Sequence, residues 1–367
     1  MSEEQVKQLE AGAALAARPK LEVLDALRGF CALTVMLLHL TELTRWRWMC
    51  PHGYFPVEYF FTLTGFTFVY AYDARWTKMS VWGFFKRRLW RMQPLVVIGS
   101  LVGLVAVCLC PGRFEHFGAK GVPSLWFVLL YSFTLLPAPT KWGCIHVLQG
   151  PMWTMQYIYL ANIAYAFVLR HLKTWMLAVL AAAAAVLSCR MALLHGHLEA
   201  GWLLNETHVT VALTRLAFPV LAGMLIARLG WRIRCGRLAL PLTLAALAVL
   251  FFWPEVKDRQ LCGLFDAGVA LVAMPLIVMT AAGGRIGSAR VAAVCRFMGK
   301  FSFPLFATHY QFRVAMMTWL KANPNASTGA QIAVIAATAV VMLVFAWAAM
   351  KAVDAFDAWR AGKGERR

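Results

Sequence analysis

Residues 24–40 read LDALRGFCALTVMLLHL, and after Asp25 this apolar run contains a guanidinium at Arg28 and an imidazole at His39. If the run is a helix, their separation of eleven residues places the two side chains about 20° apart around the axis, since each residue turns by about 100°. The same separation is a rise of about 16 Å. This stretch therefore predicts a helix that carries a guanidinium and an imidazole along one face, at two depths.

The composition indicates what surrounds this helix. Of the 367 residues, 61% are hydrophobic and 14% are charged, and the mean hydropathy is +0.63. A soluble domain of this length needs more polar surface, so the composition predicts a polytopic membrane protein. Nine cysteines lie scattered without a CxxC pair or a Cys/His cluster, and we expect no metal site. We interpret the net charge of +19 as an excess of Lys and Arg on one side of a bilayer. We therefore expect no nucleic-acid partner.

Apolar stretches long enough to cross about 30 Å of hydrocarbon predict an all-α bundle of about ten transmembrane helices. They fall near residues 28–44, 55–72, 94–111, 152–170, 175–194, 208–229, 238–253, 264–282, 300–318 and 329–350. With both termini cytoplasmic, the inner segments hold 25 of the 36 Lys and Arg residues and the outer segments hold 8, as the positive-inside rule predicts. A shorter stretch at 124–137 is interpreted as re-entrant or interfacial, because a full span there would invert every later loop.

The chain divides into three parts on this interpretation. Residues 1–20 are expected to form a cytoplasmic N-terminal segment, residues 21–358 the membrane domain, and residues 359–367 a basic cytoplasmic tail. The lipid bilayer is therefore the first expected partner of this chain.

Ionisable side chains inside the spans are functional candidates, because each is costly in hydrocarbon unless it faces a cavity or a partner. They are His39, Glu58, Arg190, Arg215, His309 and Arg313. All except Arg190 are expected between mid-membrane and the outer boundary, where they can share one cavity. His39 is the best general base, because imidazole titrates closest to neutral pH. Glu58 at similar depth, or Glu42 one turn above on the same helix, can supply the carboxylate that orients it.

A second group of charges lies at the expected inner boundary. Arg28 opens the first span, and the run KRRLWR at 86–91 places Arg88 and Arg91 three residues apart on one helical face. Such a basic entrance suits an anionic nucleotide or phosphate. The alternative is that these residues anchor the helices by contacting lipid phosphates.

Six segments together resemble the integral-membrane acyltransferase 3 family in order and spacing, over roughly residues 21–358. They read LDALRGFCALTVMLLHL, VEYFFTLTGFTFVYAY, FFKRRLWRMQPL, GPMWTMQYIYLANIAYAF, RLAFPVLAGMLIARL and MGKFSFPLFATHYQF. The resemblance implies about ten spans and the transfer of acyl groups, often acetyl, to hydroxyls of surface or exported carbohydrates. It also implies an integral protein of the bacterial inner membrane.

Four motifs of the family resemble segments at defined positions of this sequence. Its Arg-x10-His signature falls on Arg28 and His39, its RxxR on Arg88 and Arg91, its FFxxSGF on Phe60, Phe61, Thr64, Gly65 and Phe66, and its SYPLYLxH on Ser302, Pro304 and His309. Thr64 replaces the serine of the third motif, and phenylalanines replace both tyrosines of the fourth. The departure that matters lies in a fifth motif. Where the family reads WSLxxE, this chain has Trp153 at the start and Ile158 in place of the acid.

The resemblance implies an acyl-CoA donor that enters from the cytoplasm, with its phosphates on Arg28, Arg88 and Arg91 and its thioester raised along the helix face towards His39. His39 and Glu58 are the expected catalytic residues. Thr64, Trp153, Arg215 and His309 are the expected substrate-pocket residues, and the acceptor is a carbohydrate or glycolipid. The sequence does not decide whether the chain forms a homodimer. The alternatives are a transporter or flippase, in which intramembrane charges line a path, and an inactive relative, because an isoleucine cannot orient a base.

Overall fold

The structure, a computed structural model, describes residues 21–109, 124–138, 146 and 148–364. It is 81% helix, and the described ranges contain no strand, which confirms the predicted all-α class. Six helices are long and apolar enough to cross a bilayer, namely Glu22–Thr41, Val81–Leu109, Thr174–His195, Glu206–Arg228, Arg259–Gly283 and Thr328–Gly362. The count of ten spans and the assignment of the termini to the cytoplasm stay predictions.

The first half of the described chain forms six helices. They are α1 (Glu22–Thr41), α2 (Pro56–Tyr72), α3 (Val81–Leu109), α4 (Leu125–Thr134), α5 (Trp153–Phe167) and α6 (Thr174–His195). The stretch predicted to be re-entrant or interfacial forms α4, which has ten residues and is therefore too short to cross about 30 Å of hydrocarbon.

The second half contains the remaining helices. They are α7 (Glu206–Arg228), α8 (Ala239–Phe251), α9 (Arg259–Gly268), α10 (Met274–Gly283), α11 (Ala289–Thr308), α12 (Tyr310–Ala322) and α13 (Thr328–Gly364). A π-helical turn at Val269–Ala273 joins α9 to α10, so that the two form one continuous span.

The stretch predicted as a single span at 300–318 is divided at His309, between α11 and α12. The ring Nδ1 of His309 lies 3.0 Å from the carbonyl oxygens of both Leu305 and Phe306. The backbone N–H of His309 also donates to the carbonyl of Leu305, at 3.1 Å. These bonds to the preceding turn fix the ring of His309 inside the bundle.

Close helix contacts hold the bundle together, and the most extensive are those of α1 with α11 and of α2 with α7. Gly65 on α2 lies against the backbone of Val220 on α7, and Gly223 on α7 lies against the backbone of Thr62 on α2. A methyl group at either glycine would overlap main-chain atoms. Small residues permit this close approach of helix backbones in membranes, so the two glycines set the spacing between α2 and α7.

An aromatic cluster joins α2, α3 and α5. Phe68 and Tyr165 are stacked with ring centroids 4.5 Å apart, and Phe84 lies 5.7 Å from Tyr165. Arg88 lies over the ring of Phe68 at 5.6 Å and donates from Nε to the side-chain oxygen of Asn162 at 2.7 Å. Packing in this cluster therefore fixes the position of the first cation of the RxxR pair.

Candidate active site

His39 lies in the last turn of α1, and Glu42 follows the end of that helix. Nδ1 of His39 donates to Oε1 of Glu42 at 3.0 Å, and the same oxygen forms an ion pair with Nη2 of Arg313 at 2.7 Å. Because an ionised carboxylate only accepts hydrogen bonds, the proton of the neutral imidazole sits on Nδ1 and Nε2 keeps its lone pair. The side chain of His39 is 16% exposed. This arrangement can accept a proton at Nε2.

The electrostatic surroundings of Glu42 keep its carboxylate ionised. The imidazole of His39 and the guanidinium of Arg313 both lie within 3.0 Å of its Oε1 atom and favour the charged form. An ionised carboxylate holds the imidazole in one tautomer and stabilises the imidazolium once a proton arrives. Glu42 therefore has the chemistry of an orienting partner.

Glu58, the carboxylate expected to support His39, has a different partner. Its side chain is fully buried, and Arg215 donates to its two oxygens at 2.5 Å and 3.0 Å. No hydrogen bond joins Glu58 to His39 within the described residues. The contacts assign Glu42 to His39, because similar depth in the membrane does not fix which side of a helix a carboxylate occupies.

The remaining donors of Arg215 are also occupied. Nη1 donates to the carbonyl of Ala200 at 2.8 Å, and Nη2 to that of Tyr54 at 3.1 Å. Trp153 lies under the guanidinium at 5.5 Å, packs against Gly201 and is 6% exposed. Neither Arg215 nor Trp153, both expected in the substrate pocket, is positioned to meet a ligand. They hold α7, α5 and the loop that follows α6 together.

His309, also expected in the pocket, packs directly against His39. The two imidazoles are stacked with centroids 5.3 Å apart, and Tyr310 meets His39 edge-on at 5.0 Å. Because Nδ1 of His309 faces only carbonyl oxygens, it must carry the proton, and Nε2 is a buried acceptor with no partner within the described residues. His39 is therefore held between two rings.

Two glutamines near this cluster were missed by the sequence reasoning. Nε2 of Gln149 donates to the carbonyl of Val96 and to Oγ of Ser100, and Nε2 of Gln311 donates to the carbonyl of Gly99. Both leave a buried amide oxygen without a partner in the described part of the chain. The position of Gln311, two residues after His309, was the one available signal. Gln149 precedes a helix in no recognisable pattern.

A cavity of about 1190 Å³ lies between α1, α2, α3, α5, α11 and α13, and we call it the basic cavity. Eight cationic side chains line it, namely Arg28, Lys86, Arg87, Arg88, Arg91, Arg296, Lys300 and Arg360. Three acidic side chains line it too, namely Asp25, Asp354 and Asp357. The excess of positive charge suits a polyanionic ligand.

The three arginines expected to bind the donor all line this cavity, but they differ in availability. Arg28 is paired with Asp25 at 3.1 Å, and Arg88 is buried with its Nε held by Asn162. Arg91 is exposed, and among the described contacts it makes no hydrogen bond or ion pair. Arg91 is therefore the most available of the three for an incoming anion.

The inner wall of the basic cavity is mostly apolar. Thr64 contributes to it, although its hydroxyl donates to the carbonyl of Phe60 at 2.8 Å. The lining includes Phe60 and Phe306, whose rings are 6.1 Å apart, and Phe306 lies 6.1 Å from His309. His39 itself is not part of the lining. The continuous path expected from Arg28 to His39 therefore stays a prediction, and Phe306 is the lining residue that contacts the His309–His39 pair.

The chain was compared with protein-family models, curated proteins and solved structures. Residues 21–351 match the model of the acyltransferase 3 family, described as an acyltransferase domain. The chain belongs to this family. No curated protein and no solved structure matches it. Family membership and the six apolar helices make the chain, in general terms, an integral membrane acyltransferase.

In this acyltransferase, Ile158 stands where the sequence comparison expects an acid. Ile158 lines the inner wall of the basic cavity, beside Met155 and Thr154. An acid here would have faced the cavity and not the Nδ1 atom of His39, which Glu42 already contacts. The substitution therefore makes the inner wall more apolar and leaves the His39–Glu42 pair intact.

Proposed function

We propose that this acyltransferase is an O-acyltransferase that moves an acyl group, acetyl in the simplest case, from cytoplasmic acyl-CoA to a hydroxyl of a carbohydrate or glycolipid. The observation that carries the proposal is the basic cavity, whose inner wall at Phe306 lies one ring away from the stacked His309 and His39. The proposal is supported by the cationic lining of this cavity and by the contact that orients His39, which lie in adjacent parts of one bundle.

The basic cavity supplies the donor site in this proposal. Arg28 and Arg91 bind the phosphates of the donor, and Arg88 adds positive charge from its fixed position in the wall. The apolar inner wall, which includes Ile158, receives the acyl end of the pantetheine arm. The side chain of Phe306 turns aside to bring the thioester to His39.

The chemistry follows from the tautomer of His39. Nε2 removes the proton of the acceptor hydroxyl while the hydroxyl oxygen attacks the thioester carbonyl, and Glu42 stabilises the imidazolium. As the tetrahedral intermediate collapses, the carbon–sulfur bond breaks, and the imidazolium returns the proton to the departing thiolate. The products are the acyl ester and free CoA, and His39 is again neutral. General base catalysis of this kind contributes about 10²–10⁴-fold to the rate.

The test uses purified protein in lipid nanodiscs, radiolabelled acetyl-CoA and a crude envelope carbohydrate fraction. We expect label in the carbohydrate for the wild type and none for His39→Ala, because the variant lacks the base. Size-exclusion elution and the thermal unfolding midpoint of His39→Ala check that the fold is retained. Turnover by a folded His39→Ala protein would exclude His39 as the base. Absence of transfer by the wild type from any acyl-CoA would favour an inactive relative, and donor-independent uptake into vesicles would favour a transporter.

A further inference from the structure

Three cations of the basic cavity come from helices that the sequence analysis did not connect with the donor. They are Arg296 and Lys300 on α11 and Arg360 on α13, and we call them the second cation set. The first cation set consists of Arg28 on α1 and Lys86, Arg87 and Arg91 on α3. Positive charge therefore reaches the cavity from four helices.

Side-chain contacts show how the second cation set closes around the cavity. Arg296 is paired with Glu22 of α1 at 3.3 Å, and Lys300 with Asp354 of α13 at 2.7 Å. Arg360 lies 4.2 Å over the ring of Trp90, which belongs to α3. These contacts link α1 to α11, α11 to α13 and α13 to α3 around one opening.

The ion pairs of the second cation set are of the kind that a ligand can displace. The side chains of Arg296 and Lys300 are 41% and 55% exposed, and each meets one oxygen of a single carboxylate. Exposed pairs of this kind contribute little to folding stability. A phosphate group carries more charge than one carboxylate and offers several acceptor oxygens, so it competes well for these cations.

The basic cavity contains more cations, on more helices, than one phosphate position requires. The first cation set alone has four cations on two helices for a pyrophosphate. We propose that the second cation set binds a separate phosphate, so that the site selects a donor nucleotide phosphorylated at two distant positions. CoA has this chemistry, with a pyrophosphate at the ribose 5′ position and a monophosphate at the 3′ position. The inference rests on the proposed function, since it assigns a subsite for the proposed donor.

The test compares CoA with dephospho-CoA, which lacks only the 3′-phosphate. Binding of both to nanodisc-embedded protein is measured by calorimetry, and KM and kcat are measured with their acetyl thioesters. We expect the wild type to bind CoA at least about tenfold more tightly, since a charge-assisted contact to phosphate is lost in dephospho-CoA. The double variant Arg296→Gln/Lys300→Gln should lose this discrimination, with about tenfold weaker binding of CoA and unchanged binding of dephospho-CoA.

A matched control variant also removes two positive charges, one from α11 and one from α13, at positions outside the basic cavity. Arg290 on α11 and Lys351 on α13 are exposed and do not line the basic cavity. The variant Arg290→Gln/Lys351→Gln should keep the full preference for CoA. Arg360→Gln provides a single substitution near the end of α13 in case the double variant does not fold, and it should reduce the preference in the same direction.

The outcomes separate the subsite from the proposed function. Equal affinity of the wild type for CoA and dephospho-CoA, or equal weakening of both ligands in the double variant, would overturn the second cation set as a phosphate site. Binding with the expected preference but without transfer to any acceptor would contradict the proposed function and support the subsite. Transfer to an acceptor without a preference for CoA over dephospho-CoA would contradict the subsite and support the proposed function.

Discussion

At the scale of single residues, the proposed chemistry depends on the contact between His39 and Glu42, which are one helical turn apart. Glu42 is three residues after His39, a spacing that places two side chains on the same helix face, and the two are joined at 3.0 Å. The sequence left Glu42 and Glu58 as alternatives, because both lie at a similar expected depth. What decides between them is Arg215, which neutralises Glu58 from another helix. The sequence singles out Arg215 as a charge inside a span but does not show which carboxylate it pairs with.

The partner role of Glu42 can be measured directly. We expect Glu42→Gln to lower kcat by about 10²-fold or more, because the amide neither fixes the tautomer nor stabilises the imidazolium. Donor KM should change little, since Glu42 does not line the basic cavity. Glu199→Gln is the control, because Glu199 pairs with Arg47 at 3.1 Å and has no contact with His39 among the described residues. A kcat of Glu42→Gln within twofold of the wild type would exclude the role.

At the scale of helices, the pair Glu58–Arg215 is a bond between α2 and α7. Both side chains are buried, and the two helices also meet through Gly65 and Gly223. Removing one member of a buried pair leaves an uncompensated charge and costs about 3–5 kcal/mol. The pair therefore stabilises the interface, which is a different role from the catalytic one expected for Glu58.

This structural role of Glu58 predicts a loss of stability. Glu58→Gln should lower the thermal midpoint by several degrees, since Arg215 is left buried without its carboxylate. The double variant Glu58→Gln/Arg215→Gln should regain part of the loss, because it removes the unpaired charge. A Glu58→Gln protein with the wild-type midpoint and no activity would restore Glu58 as a catalytic candidate.

At the scale of the whole molecule, the sequence predicts the class of fold well. Each of the ten apolar stretches overlaps one described helix or a pair of consecutive helices, and six described helices are long and apolar enough to cross a bilayer. The interruption at His309 was not predicted, because hydropathy is continuous across it.

The candidate site was predicted less completely than the fold. The sequence placed Arg28, Arg88 and Arg91 together, and the structure brings them into one cavity. The five outer charges, by contrast, were expected to share one space. The contacts put His39, His309 and Arg313 in one cluster and Glu58 with Arg215 in another, while Arg190 is exposed. The rotation of each helix about its axis determines which charges lie in the same cluster. The depth of a residue along the axis does not determine it.

The ring of Phe306, which lines the basic cavity and contacts His309, bears on the function proposed above. If acyl-CoA enters this cavity from the cytosol, as proposed, an open channel from the cavity to His39 would also conduct protons and ions. The buried ring of Phe306 puts an apolar group beside the imidazoles at that point, and apolar constrictions oppose the passage of water and ions.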